Sequence, residues 1–277
     1  MDKMYLFVAY SIGLIDLVAG LICIFRASKL KPNTYLGFRI PAAFLSQKIW
    51  SRINTLSGIL GTINFTVIII LSLFIQSIYL VVYAILSTML IISALSIYSK
   101  RIIEIETGRE MGGEHPVEVL PTISVSKSRI LLGWVITIVL LAIISVAMSQ
   151  MPDTLAVHFD ARGHPNFFMR RDEYIISFIS ITLGGMIMVT SVLYSIKDMP
   201  SLKEFEAYNR SLVSILQLVL IIIPLLYTYV YITIYLHNVP GITIPIIIDV
   251  VVVLAIITVL ILFAIRPYWL RKTSIKK

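Results

Sequence analysis

Long apolar runs separated by short polar stretches dominate the chain. A membrane-spanning helix needs about 20 mostly apolar residues. Seven stretches meet that length: 4–25, 55–75, 78–98, 130–149, 174–196, 212–236 and 242–265. Gln76 and Ser77 are the only break between the second and third, so the sequence predicts a tight helical hairpin there. Between the first two runs the pattern changes. Leu45, Ile49, Ile53 and Leu56 recur at three- to four-residue spacing, Lys48 and Arg52 share another face, and Pro41 suits the first position of a helix. This predicts an amphipathic helix over 42–54, lying on the inner leaflet with Trp50 at the interface, or else a docking site or gate packed under the bundle. Between the fourth and fifth runs, Leu155 to Phe159 reads as a short extended stretch. The turn Asp160-Ala161-Arg162-Gly163 follows it, with Gly163 supplying a positive φ.

Composition makes the bilayer the solvent for most of this surface. The 277 residues are 58% hydrophobic and 14% charged, with a mean hydropathy of +0.94, against about 45–50% and about 25% in soluble domains. The net charge of +8 points to basic loops facing an anionic leaflet rather than to direct nucleic-acid binding. The single cysteine, Cys23, excludes an internal disulfide. The first run lacks a basic leader and a small-residue cleavage site, so it reads as a retained helix. Lys3, Arg162, Arg170 and Arg171 lie on one side of the alternating spans, and the other nineteen of the 23 Lys and Arg lie on the opposite side. The positive-inside rule then places the N-terminus outside and the C-terminus in the cytoplasm. The expected fold is an all-α bundle of about seven transmembrane helices in the plasma membrane, with a short extracellular hairpin and a cytoplasmic amphipathic helix. The expected regions are 1–98 with three spans, a cytoplasmic linker over 99–129, and 130–277 with four spans.

Ionisable residues inside spans are costly and mark function or specific pairing. Asp16 lies near the middle of the first run and Asp249 about two turns into the last, with Asn64 and Gln217 as the nearest polar helpers. The hydroxyls or backbone of neighbouring helices are the bland partners for both. His158, Asp160 and His164 form a weak candidate metal set, and a hairpin in which His158 bonds locally is the simpler reading. The linker holds five Glu, Glu104, Glu106, Glu110, Glu114 and Glu118, in a flexible setting and without a nucleotide motif. No zinc-protease, nucleophile-elbow, kinase or phosphate-loop pattern occurs, so neither an enzyme nor a cofactor is expected.

Two segments resemble known membrane families. Asn33, Gly37-Phe38-Arg39-Ile40-Pro41, Trp50, Asn54 and Gly58 resemble the signature of the SdpI-like family: an Asn, then Gly-x-Arg-Thr-Pro, then Trp, a polar residue and a small-residue helix. Met151-Pro152-Asp153-Thr154, Val157-His158-Phe159-Asp160, Gly163 and Pro165-Asn166 resemble a domain of unknown function, DUF1648, that often accompanies it. The order of the two is reversed here, with Ile40 where Thr is usual and Ala156 where Pro is usual. The resemblance implies a resident membrane protein that protects against, or senses, an extracellular peptide toxin, and some relatives recruit a transcriptional repressor. The candidate binding residues are then Asn33, Gly37, Arg39, Pro41, Trp50 and Asn54 inside, with Pro152, His158, Asp160, Gly163 and His164 outside. The implied partners are membrane lipid, an extracellular peptide and a cytoplasmic or membrane protein. The competing expectations are a proton- or ion-coupled transporter or channel using Asp16 and Asp249, and a metal-dependent membrane enzyme. No inverted repeat supports the transporter.

Overall fold

The computed structural model describes residues 2–75, 77–110, 122–148, 150–160, 163–199, 205–242 and parts of 251–262. Among them are six helices long and apolar enough to cross a membrane, and the protein is a multi-pass membrane protein. The helices are α1 (Asp2–Phe25), α2 (Gln47–Ser72), α3 (Ile78–Glu110), α4 (Lys127–Met148), α5 (Arg171–Ile196) and α6 (Glu206–Asn238). Two antiparallel strands, β1 (Thr154–Phe159) and β2 (Pro165–Arg170), stand between α4 and α5. The seventh predicted span, 242–265, and with it Asp249, lies largely outside the described residues.

α1 packs most extensively on α2, and α3 on α5. The first pair meets through glycines. A Cβ built on Gly20 would sit 2.8 Å from the Gly58 carbonyl oxygen, and one on Gly61 2.7 Å from that of Asp16. Small residues let helix backbones approach this closely, which is a main source of helix association where lipid removes the hydrophobic drive. α6 carries Pro224 inside its run. Proline cannot donate back to the Leu220 carbonyl, and Gly133 of α4 lies against that carbonyl, with a built Cβ at 3.0 Å.

Two buried clusters mark the two ends of the bundle. One gathers Ile40, Phe44, Trp50, Ile102, Ile123, Leu193, Ile196 and Val213. The other gathers Tyr5, Ile68, Leu80, Met148, Leu155, Phe167, Tyr174 and Ile234. Successive helices therefore alternate in direction. The loop 26–46, the segment 122–126 and residues 197–199 after α5 share one end. The β1–β2 hairpin and the start of α1 share the other. Both clusters draw residues from the regions before and after 99–129.

The helix boundaries differ from expectation most at α2 and α3, and α6 also begins six residues before the expected 212. No separate amphipathic helix occupies 42–54. Pro41–Phe44 form a short 3₁₀ turn, Ser46 caps α2 by accepting a hydrogen bond from the Ile49 amide, and α2 runs unbroken from Gln47 into the bilayer segment. The apolar stripe Ile49 and Ile53 is covered by protein rather than lipid, and Trp50 is fully buried instead of sitting at an interface. α3 also runs twelve residues past the expected end at 98, to Glu110, because Lys, Arg, Glu and Ile there are adequate helix formers once the helix has been nucleated. Beyond it, the linker is not wholly solvated. The Ile123 amide donates to the Met199 carbonyl at 2.9 Å, the Asp198 amide donates to Ile123 at 3.0 Å, and Ile123 and Val125 are buried.

Candidate functional site

The loop between α1 and α2 is built by the side chains its sequence singles out. Asn33 Oδ1 accepts from the amides of Tyr35 and Leu36, both at 3.0 Å, and its Nδ2 donates to the Lys31 carbonyl at 2.9 Å. An asparagine bonding to backbone just ahead of it fixes a turn. Arg39 Nη1 closes the turn on the Thr34 carbonyl at 2.6 Å. Gly37 sits at φ +95°, a conformation open to glycine, and that kink aims the Phe38 amide at Asn54 Oδ1, 2.7 Å away. Asn54, fully buried on α2, donates its Nδ2 to the Trp50 carbonyl at 2.9 Å. Trp50 Nε1 donates to the Ala27 carbonyl at 2.6 Å, and Gln47 Nε2 to that of Leu30 at 3.0 Å. Asn33, Gly37, Arg39, Pro41, Trp50 and Asn54 thus come together in one scaffold, pinned from below by α2.

The same loop is held from the other half of the chain. Phe44 stacks on Phe205 at 4.3 Å and on Trp50 at 5.8 Å, and meets the edge of Tyr208 at 5.4 Å. Tyr208 Oη donates to the Arg39 carbonyl at 3.0 Å. Phe205 and Tyr208 were not among the residues singled out by sequence, because nothing local distinguishes two aromatics at a helix start from ordinary interface anchors.

At the opposite end, Gly163 takes φ +80° in the hairpin turn. Its amide donates to Asp160, and the Asp160 amide to His164, both at 2.9 Å. Asp160 Oδ1 accepts from the His164 amide at 2.9 Å, and Asp160 Oδ2 lies 3.5 Å from His164 Nδ1. His158 turns to Asn166 across the hairpin, with Nδ1 2.6 Å from Oδ1. A register irregularity on either side of His158 separates its direction from that of the turn. Among the described residues no group of three His, Cys, Asp or Glu side chains could hold a metal ion, so His158, Asp160 and His164 do not converge as ligands. Pro152 is exposed just before β1. Arg171 ties the base of the hairpin, with Nη1 on the Met151 carbonyl at 2.6 Å and Nη2 on Asp153 Oδ1 at 3.0 Å. Asn238, at the end of α6, grips β1: it accepts from the Ala156 amide at 2.8 Å and donates to the Ala156 carbonyl at 3.0 Å. Neither Arg171 nor Asn238 was anticipated.

Inside the bundle, Asp16 Oδ2 accepts from Asn64 Nδ2 and from Thr88 Oγ1, both at 2.7 Å. Three helices are joined by one carboxylate. Gln217 instead bonds Arg129 Nη1 at 3.1 Å and the Ser126 carbonyl at 3.3 Å. Interhelical hydrogen bonds in membranes average about 0.6 kcal/mol, with a maximum near 1.7, so Asp16→Leu should cost about 1–2 kcal/mol in thermal unfolding in detergent, and Asp16→Asn less. A melting temperature for Asp16→Leu equal to that of the native chain would show that the cluster is not a clasp.

Residues 29–99 match the model of the SdpI/YfhL protein family. The matched stretch runs from the pinned loop through α2 and the membrane segment of α3, so this part of the multi-pass protein is SdpI-like. The hairpin and α4–α6 lie outside it. No curated protein matches the chain, and no solved structure does.

Proposed function

We propose that the protein is a binding and signalling protein of the plasma membrane, of the SdpI immunity kind, which meets an extracellular peptide at the β1–β2 hairpin and presents the loop around Arg39 to a cytoplasmic or membrane partner. The observation that carries this reading is the family match over residues 29–99, which opens on a loop whose exposed groups are held by buried ones. Charge supports the sidedness: the loops at that end are rich in Lys and Arg, which favours the cytoplasmic side for them and the outer side for the hairpin. α6 supplies a physical link, since Tyr208 bonds the loop and Asn238 bonds the hairpin. Of the two carboxylates behind the transporter reading, Asp249 lies outside the described residues and Asp16 is engaged by two donors from neighbouring helices, which favours a clasp over a carrier site for Asp16.

Expression in a bacterial strain killed by secreted membrane-active peptides should raise survival. Arg39→Ala and His158→Ala should lower it to the empty-vector level while the folded protein stays in the membrane. Normal protection by both variants, or no protection against any peptide in the panel, would reject the proposal.

A further inference from the structure

We infer that the turn Asn33–Leu36 is a lipid-anchoring tip that inserts Tyr35 and Leu36 into an anionic phospholipid surface. The loop 26–46 buries Ala27, Ile40, Ala43 and Phe44 and half-buries Phe38 and Leu45. Tyr35 stands out of it at 84% exposure, with Leu36 and Leu30 also exposed. Their exposure does not come from a slack chain. Asn33 holds the turn with three hydrogen bonds, and Arg39 closes it on Thr34.

The surroundings specify the partner's charge. Residues 26–53 hold six Lys and Arg and no Asp or Glu. Arg26, Lys29, Lys31, Arg39, Lys48 and Arg52 are all exposed. An apolar tip carried on a segment of exposed cations that contains no acid complements a sheet of phosphodiester headgroups over acyl chains. Position supports the same partner. α1 ends at Phe25, itself 60% exposed, and α2 begins at Gln47, so the turn emerges between two bilayer helices, and the headgroup layer is its nearest large surface. Tyr is a side chain that settles at this depth, ring in the apolar zone and hydroxyl in water. The expected lipid contact therefore moves from the 42–54 segment, which the protein covers itself, to the turn before it.

The test uses the full chain with Cys23→Ser and Tyr35→Cys, labelled at the new thiol with an environment-sensitive fluorophore. The labelled protein is reconstituted in phosphatidylcholine vesicles with and without phosphatidylglycerol. With phosphatidylglycerol, the emission should shift to the blue, acyl-chain bromines should quench it, and aqueous iodide should not. Adding Lys29→Gln and Lys31→Gln should return the emission toward its aqueous position. Water-like emission in both vesicles, with free iodide access, would overturn the inference and leave the tip to a protein partner. Equal insertion with and without phosphatidylglycerol would overturn the anionic assignment. A second measurement avoids the label: in detergent, added phosphatidylglycerol should raise the melting temperature of the native chain more than that of Tyr35→Ser, and an equal rise would count against the tip. Neither assay depends on peptide protection, so this inference and the proposed function can fail separately.

Discussion

Gly37→Val should unseat the α1–α2 loop and expose Cys23. Two costs act together. A β-branched residue at φ +95° is strained by about 1–3 kcal/mol. A Cβ at this position also overlaps Asn54 Oδ1 and the Ala27 side chain. Moving Asn54 aside removes the acceptor of the Phe38 amide, and leaving such a group unpaired in a buried setting costs about another 1–3 kcal/mol. The total is about 2–6 kcal/mol, or a fall of roughly 10 °C in melting temperature for a chain of this size. Cys23 makes the event visible. It is the only cysteine, it is buried, and its thiol lies against Ser57 and the Phe38 backbone, so loop release should speed its reaction with a thiol dye. A cycle isolates the cause. Gly37→Ala meets the same Asn54 oxygen, and Asn54→Ala removes that oxygen, so the double variant should be clearly less destabilised than the two single effects added together. Strict additivity would mean that the clash is not what makes glycine necessary here.

How much of this was legible in the sequence depends on what kind of partner each residue has. The spans within the described residues were legible because lipid demands an uninterrupted apolar helix, and hydropathy reports that demand directly. The covering of a face was not. Ile49 and Ile53 do form the apolar side of a helical stretch, but periodicity says only that a face is apolar, and here Phe44 and the α3, α5 and α6 ends cover it in place of the leaflet. The Asp16–Asn64 pairing was half legible, since a carboxylate within a span calls for a donor and the sequence offered two amides, Asn64 and Gln217, of which the structure brings Asn64 to Asp16. Thr88 was missed because threonine in a span also bonds its own helix, as it does here to the Ala84 carbonyl. The Asn54–Phe38 bond and the Asn238–Ala156 pair join positions 16 and 82 residues apart, and no local signal encodes such a meeting. His158, Asp160 and His164 show the converse. Proximity in sequence gave them a shared turn, and the strand irregularity around His158 sent its ring elsewhere.

Gly58→Leu should prevent the bundle from assembling, and the reason lies in what its Cβ would meet. At Gly58 the added carbon falls on the Ile24 side chain and 2.5 Å from the Gly20 carbonyl oxygen. The second contact is backbone, which cannot rotate away, so the axes of α1 and α2 must separate. Overpacking of a close interface commonly costs about 1–3 kcal/mol and sometimes more. Separation would also pull Asp16 from Asn64, worth about another 1 kcal/mol, and lift α1 from the helix that orders the loop. Against a total stability of about 5–15 kcal/mol, a loss of about 4 kcal/mol or more should appear as little monodisperse protein on size exclusion and rapid labelling of Cys23 in what remains. A glycine on another interface should respond with the opposite sign. A Cβ on Gly185 would lie 3.5 Å from the Ile223 side-chain terminus, an ordinary contact, while replacing a mid-helix glycine with alanine gains up to about 1 kcal/mol. Gly185→Ala should therefore melt at or above the native temperature. The two variants together separate helix propensity from helix proximity. If Gly58→Leu purifies and melts like the native chain with Cys23 still protected, the glycine crossing of α1 and α2 is not what holds the matched SdpI-like segment to the first helix.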